Sequence, residues 1–192
     1  MPEFSVSATV RNFLGPITSA AARVEVRGAH YLPTTGGCLL VSTQSGPAAE
    51  WILKTTLPRP VRVLRPFIDP EDAVGTPPII SNLVEDIAFE SETAIDAQFA
   101  ALEALLGGEA VGICGVLPAP GFLLLASRAP LVPVAIAEAR SRVVVLGEAI
   151  ALPDQLQEAS AASRDACAAA DEWARQRIAD HEARALRRVV GS

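Results

Sequence analysis

Gly37-Cys38-Leu39-Leu40-Val41-Ser42 runs into Thr43-Gln44-Ser45 and then Gly46-Pro47, and this stretch decides the fold. A short, unbroken apolar run bounded by glycine is the pattern of a central parallel strand covered on both faces. Pro47 suits the first turn of a helix, which is expected to continue to about Leu57 before Pro58-Arg59-Pro60 stops it. A strand followed at once by a helix makes the first unit of an α/β domain.

The same alternation extends both ways. Arg23 to Arg27 alternates polar and apolar residues and predicts a half-buried strand. Val61–Leu64, Ile87–Phe89, Val111–Cys114, Leu131–Ala137 and Arg142–Leu146 predict further strands. Helices are expected over Ala94–Leu106, Leu123–Arg128 and, as one rod or a broken pair, Gln155–Arg188. Ile95, Phe99, Leu102 and Leu106 share one apolar face of the Ala94–Leu106 helix, with Ser91 or Thr93 as its cap. Phe4 to Ala22 has helical spacing kinked at Gly15-Pro16, and Pro66–Pro78 reads as an exposed loop. The expected fold class is therefore α/β, with a largely parallel sheet flanked by helices. It is read as a single domain over residues 1–192, with helical segments at 1–22 and 155–190.

Composition narrows the function. The chain has 192 residues, half of them hydrophobic, and 16 basic against 22 acidic residues give a net charge of −6. Such a surface gains little from phosphate counterion release, which argues against nucleic acid as a partner. Cys38, Cys114 and Cys167 are odd in number and far apart, so neither a disulfide framework nor a zinc site is expected. The N-terminus has no basic and apolar leader, and the uncharged stretch Ala110–Ser127 is broken by prolines and glycines. A cytoplasmic protein without a spanning segment, at most peripheral at a membrane, is the expectation.

Scaffold motifs now add up. Val24-Glu25-Val26-Arg27-Gly28, Leu32-Pro33, Gly37 to Ser42 and Pro58-Arg59-Pro60-Val61-Arg62 resemble the phospholipid and glycerol acyltransferase family of the lysophosphatidate acyltransferase type. So do Leu105-Leu106, Gly108 to Ile113, Pro130 to Ile136 and Val143 to Ile150, in the same order and spacing over roughly residues 20–180. The resemblance implies an acyl chain or acyl thioester as ligand and no cofactor. It also implies an Asn-His-x-x-x-x-Asp motif just after the second strand, whose histidine is the general base.

That motif is missing. Thr43, Gln44 and Ala49 stand at the asparagine, histidine and aspartate positions. A glutamine amide cannot take a proton at neutral pH, and alanine cannot orient an imidazole. The family's phosphate-gripping segment is replaced by Cys114-Gly115-Val116-Leu117-Pro118-Ala119-Pro120, and its other arginine position falls in acidic Phe89-Glu90-Ser91. Loss of the chemistry with retention of the scaffold implies a degenerate member, binding an acyl ligand or serving as partner subunit or oligomer. The alternative is an atypical acyltransferase acting by positioning or through Cys114.

Other candidates have ordinary explanations. Ser45 is expected to cap the helix begun by Pro47. His30 lies at the entrance of the Cys38–Ser42 strand, roughly 20 Å from its exit, and His181 is expected on a solvated helix face. Asp69, Glu71 and Asp72 read as a solvated loop, and Arg175 to Arg188 as surface i,i+4 pairs. Gln44, Cys114, Gly115 and Leu123 are the residues expected to line an acyl groove. No metal site is expected.

Overall fold

The computed structural model describes residues 24–66, 87–89, 94–115, 120–138 and 142–190. The expected N-terminal helix, the loop acids Asp69, Glu71 and Asp72, Glu90, and the caps Ser91 and Thr93 lie outside these residues.

Seven strands form one sheet: β1 (Val24–Arg27), β2 (Cys38–Ser42), β3 (Val61–Pro66), β4 (Ile87–Phe89), β5 (Ala110–Cys114), β6 (Leu131–Glu138) and β7 (Arg142–Leu146). Their order is β1-β7-β6-β2-β5-β3-β4. Every neighbouring pair is parallel except β6 with β7, so the largely parallel α/β sheet read from the sequence is the architecture found. The helices are α1 (Pro47–Thr56), α2 (Ala94–Leu106), α3 (Gly121–Ser127), the single turn α4 (Asp154–Gln157) and α5 (Arg164–Val190).

Strand β2 is buried at all five positions because both faces are covered. Cys38 and Leu40 pack with Ile52 and Leu53 of α1, while Leu39 and Val41 pack with Ala101 of α2, Leu123–Leu125 of α3 and Ala170, Ala174 and Ile178 of α5. One helix thus covers one face and three cover the other. The uncharged stretch Ala110–Ser127 is divided between β5 and α3 in the described part. Among the described residues no helix is long and apolar enough to cross a membrane.

One expectation about the helices changes. The apolar stripe of α2 points outward: Ile95, Phe99 and Leu106 are 69%, 52% and 64% exposed. Ala97, Ala101, Ala104 and Leu105 face the core instead. Small side chains let the helix backbone approach the sheet, and that close packing outweighs the larger residues' preference for burial. The C-terminal segment is the broken pair. Arg128, in the left-handed region at φ 58°, caps α3 and donates to Leu156 O and Ala159 O at 2.8 Å each, fixing the break between α4 and α5.

A second arginine fastens the loops that enter the central strands. Arg59 donates to Pro33 O (2.7 Å), Gly36 O (3.0 Å) and Gly108 O (2.8 Å), tying three loops together. Hydrogen bonds from a charged donor contribute about 1.5–3 kcal/mol apiece. Nearby, burial pushes the Cys38 thiol up, with Arg59 opposing. Burial raises the Cys167 thiol as well, and the Asp171 charge adds to it. None of the three cysteines is in a disulfide among the described residues.

Asp171 of α5 accepts the Gly121 N–H at 2.5 Å and so caps α3 from a neighbouring helix. Burial raises its pKa above the ordinary carboxylate value, against the opposing pull of the Gly121 hydrogen bond and the charge of Arg175. A carboxyl with a raised folded pKa holds its proton more tightly folded than unfolded. Stability therefore falls as pH rises from the ordinary carboxylate range through the raised value. Asp171→Asn keeps the acceptor and removes the charge, so it should match or exceed the parent in urea melts at pH 7 and lose that pH slope. Asp171→Ala orphans the N–H and should cost about 1–2 kcal/mol. Equal losses for both variants would show that the carboxylate charge itself is needed.

Candidate functional site

In open α/β sheets, ligand-handling residues gather beyond the carboxyl ends of the strands. Here the critical exit is that of β2. Ser42 is fully buried, its carbonyl accepts the Gly115 N–H (2.8 Å), and its Oγ accepts the Gln44 N–H (3.2 Å). These bonds turn the chain sharply out of the sheet.

Gln44 then reaches sideways. Strand β6 continues beyond the level at which β2 stops, since Val41 pairs with Pro133 while β6 runs to Glu138. The Gln44 side-chain amide donates to Ile136 O at 2.5 Å, bridging from the β2 exit to the longer strand. Thr43 points to the other face, where its N–H and Oγ1 both donate to the same carboxylate oxygen of Glu182 on α5. Two neighbouring residues at the exit are thus engaged in structural hydrogen bonds.

The helix after the turn is equally committed. Gly46, not Ser45, is its N-cap, with no side-chain capping bond, which corrects the expectation for Ser45. Ala49 is 4% exposed and joins the core cluster that includes Leu40, Ile52 and Cys114. Cys114 is buried at the end of β5. Ser45 lies against Gly115, where a β-carbon would come 3.0 Å from the serine Cβ. Gln44, Ser45, Cys114 and Gly115 are therefore brought to one corner, at the exits of β2 and β5. Leu123 is 1% exposed within the opposite core cluster, on the far face of the sheet from Ala49 and Cys114.

Sequence reasoning misplaced one histidine and missed two charges. His181 is not on a solvated face: it is half-buried, with Nε2 2.9 Å from Val145 O and Nδ1 over Gly147. With a carbonyl as partner, Nε2 carries the proton and donates. His30 is exposed in a one-turn 3-10 helix, Ala29–Tyr31. Neither imidazole hydrogen-bonds to Gln44, Ser45 or Cys114. Glu50 and Lys54 of α1, four residues apart, are both only 4% exposed. Their i,i+4 spacing, acid before base, was the available signal. The surface pairs expected along α5 also need correction. Arg175 pairs with Glu172, but Arg184 and Arg187 donate through Nε to the backbone carbonyls of Asp180 and Ala183.

Strand order, the one antiparallel pair and the helix layers together define an acyltransferase-like α/β fold. A solved structure sharing it is the crystal structure of the 1-acyl-sn-glycerophosphate (LPA) acyltransferase, PlsC, from Thermotoga maritima. The TM-score is 0.54 at 13% identity, over 93% of this chain and 80% of that one. No family model and no curated protein matches the chain. At that identity the likeness carries the fold alone.

Proposed function

We propose that the chain is a non-catalytic protein of acyltransferase fold, with its former reaction corner turned into a structural joint. It takes an acyl chain or acyl thioester as ligand or stands beside an active enzyme as a partner subunit. The observation that carries this reading is the Gln44 amide bond to Ile136 O beside the Thr43–Glu182 bond. An amide held by a backbone carbonyl neither accepts a substrate proton nor moves to let one in. Loss of general-base assistance by itself costs ~10²–10⁴-fold in rate. Gln44, Cys114 and Gly115 are the residues we place next to the ligand. Leu123 would join them only if α3 shifted, because its side chain is packed in the core.

The second reading, an acyltransferase working by position, draws on the meeting of Ser45 with Gly115 beside Cys114. One experiment separates the two. Purified protein is incubated with palmitoyl-CoA and a glycerol acceptor, while thioester loss and binding heat are followed. Saturable binding without thioester loss is expected. Turnover that disappears in Cys114→Ala or Ser45→Ala would replace the proposal with the second reading. Neither binding nor turnover would leave the partner-subunit role.

A further inference from the structure

A cavity of about 560 Å³ opens between the end of β1, the turn after β7 and the last turns of α5. Arg27 enters from β1, and Arg184 and Arg188, one turn apart, enter from α5; Glu148 is the one acid among the lining residues. With Arg27 paired to Glu25, Arg184 and Arg188 stand against the single carboxylate Glu148, which leaves a locally positive groove on a chain whose net charge is −6. Arg27 shares its Nε with Glu25 at 2.7 Å. Arg184 uses only its Nε, on the Asp180 carbonyl. Among the described residues Arg188 makes no side-chain hydrogen bond or ion pair. The outer nitrogens of both α5 arginines are therefore available to a ligand.

The remaining walls are apolar or aromatic. Tyr31, 42% exposed and with its ring tilted against that of His30, lines the groove together with Pro133, Ile150 and Val189. His181 also lines the groove, its Nε2 committed to Val145 O. Cationic forks beside an apolar slot suit a ligand with a multiply charged anionic head and a compact apolar body. Guanidinium groups match phosphate oxygens in pairs, and converging arginines favour a dianion over a monoanion. The volume falls within the usual range of small-molecule sites.

We propose that the groove formed by Arg27, Arg184, Arg188 and Tyr31 is a binding site for a phosphate monoester. The site is separated from the β2 exit by β6 and does not depend on the acyl-binding reading. The source of the phosphate is either a soluble ester or the head group of an anionic lipid.

Phenyl phosphate is the direct probe, titrated calorimetrically into the full chain at low salt. Saturable binding is expected, weakening at least tenfold in Arg184→Gln/Arg188→Gln and falling between 50 and about 500 mM salt as exposed charges are screened. Arg187→Gln removes a neighbouring arginine that does not line the groove, and should bind like the parent. Benzoate, with the same ring and one charge, should bind at least tenfold more weakly. Absence of saturable phenyl phosphate binding overturns the proposal, as does an equal loss in Arg187→Gln or equal affinity for benzoate. If the double variant fails to fold by circular dichroism, Arg188→Gln alone and the benzoate comparison decide. Displacement of phenyl phosphate by phosphatidate-containing vesicles, but not by phosphatidylcholine vesicles, assigns the site to a lipid head group. Binding without that displacement assigns it to a soluble ester.

Discussion

Ala49→Asp is expected to destabilise the protein by about 3–5 kcal/mol, the cost typical of an uncompensated charge in a core. Ala49 is 4% exposed, and its cluster mates Leu40, Ile52 and Leu53 offer a carboxylate nothing to bond with. Combining it with Thr43→Asn and Gln44→His rebuilds the dyad lettering without its setting. The new histidine offsets part of the penalty of the introduced carboxylate, yet the substitutions also remove the bonds to Glu182 and Ile136 O. No acyl transfer to lysophosphatidate should be detected, because the phosphate-gripping segment is absent as well. Chemical denaturation of the single variant and a radiolabel transfer assay on the triple one check both statements. Transfer at a rate within tenfold of an active relative would mean that the catalytic corner had been idle rather than remodelled.

Gly121→Ala should be strongly destabilising. At Gly121 the first turn of α3 meets α5 with no room for a side chain. A β-carbon there would lie 2.3 Å from the Cys167 carbonyl oxygen and 2.6 Å from Asp171 Oδ1. The first obstacle is helix backbone and cannot swing away, so α3 must retreat from α5. Overpacking alone costs about 1–3 kcal/mol, and retreat also breaks the bond between Gly121 N–H and Asp171. A total near 3 kcal/mol is expected from the two losses together. In Gly121→Ala/Asp171→Ala the cost should fall below the sum of the singles, since both act on one contact. Strict additivity in denaturation midpoints would place the damage elsewhere.

Local pattern made the scaffold readable. The runs at Cys38–Val41, Ala110–Cys114 and Leu131–Ala137 are uncharged and almost wholly apolar because they lie between two layers of helix. The α2 face misled because periodicity weighs bulk, whereas the sheet selected alanines for close approach. His181 was unreadable for another reason: Asp180 and Glu182 flank it, while its partner Val145 lies 36 residues earlier. That Gln44 and Ala49 stand where the resemblance implies a catalytic dyad was visible in the letters. The bond from Gln44 to Ile136 O was not, since it depends on β6 outrunning β2 by a few residues. The basic groove was hidden likewise, its arginines arriving from opposite ends of the described chain.

The bond between Thr43 and Glu182 joins residues 139 positions apart. During synthesis at about 5–20 residues per second, roughly 7–28 s separate the appearance of these two partners on the ribosome. Strand β1 waits similarly, because its neighbour β7 begins at Arg142. Over that interval the early strands have open edges, the condition under which a nascent chain most needs a chaperone's shelter. The last helix acts as a latch on the first half of the sheet. A ribosome that stalls after β7 but before α5 would leave a chain with all seven strands made and Thr43 still without its Glu182 partner.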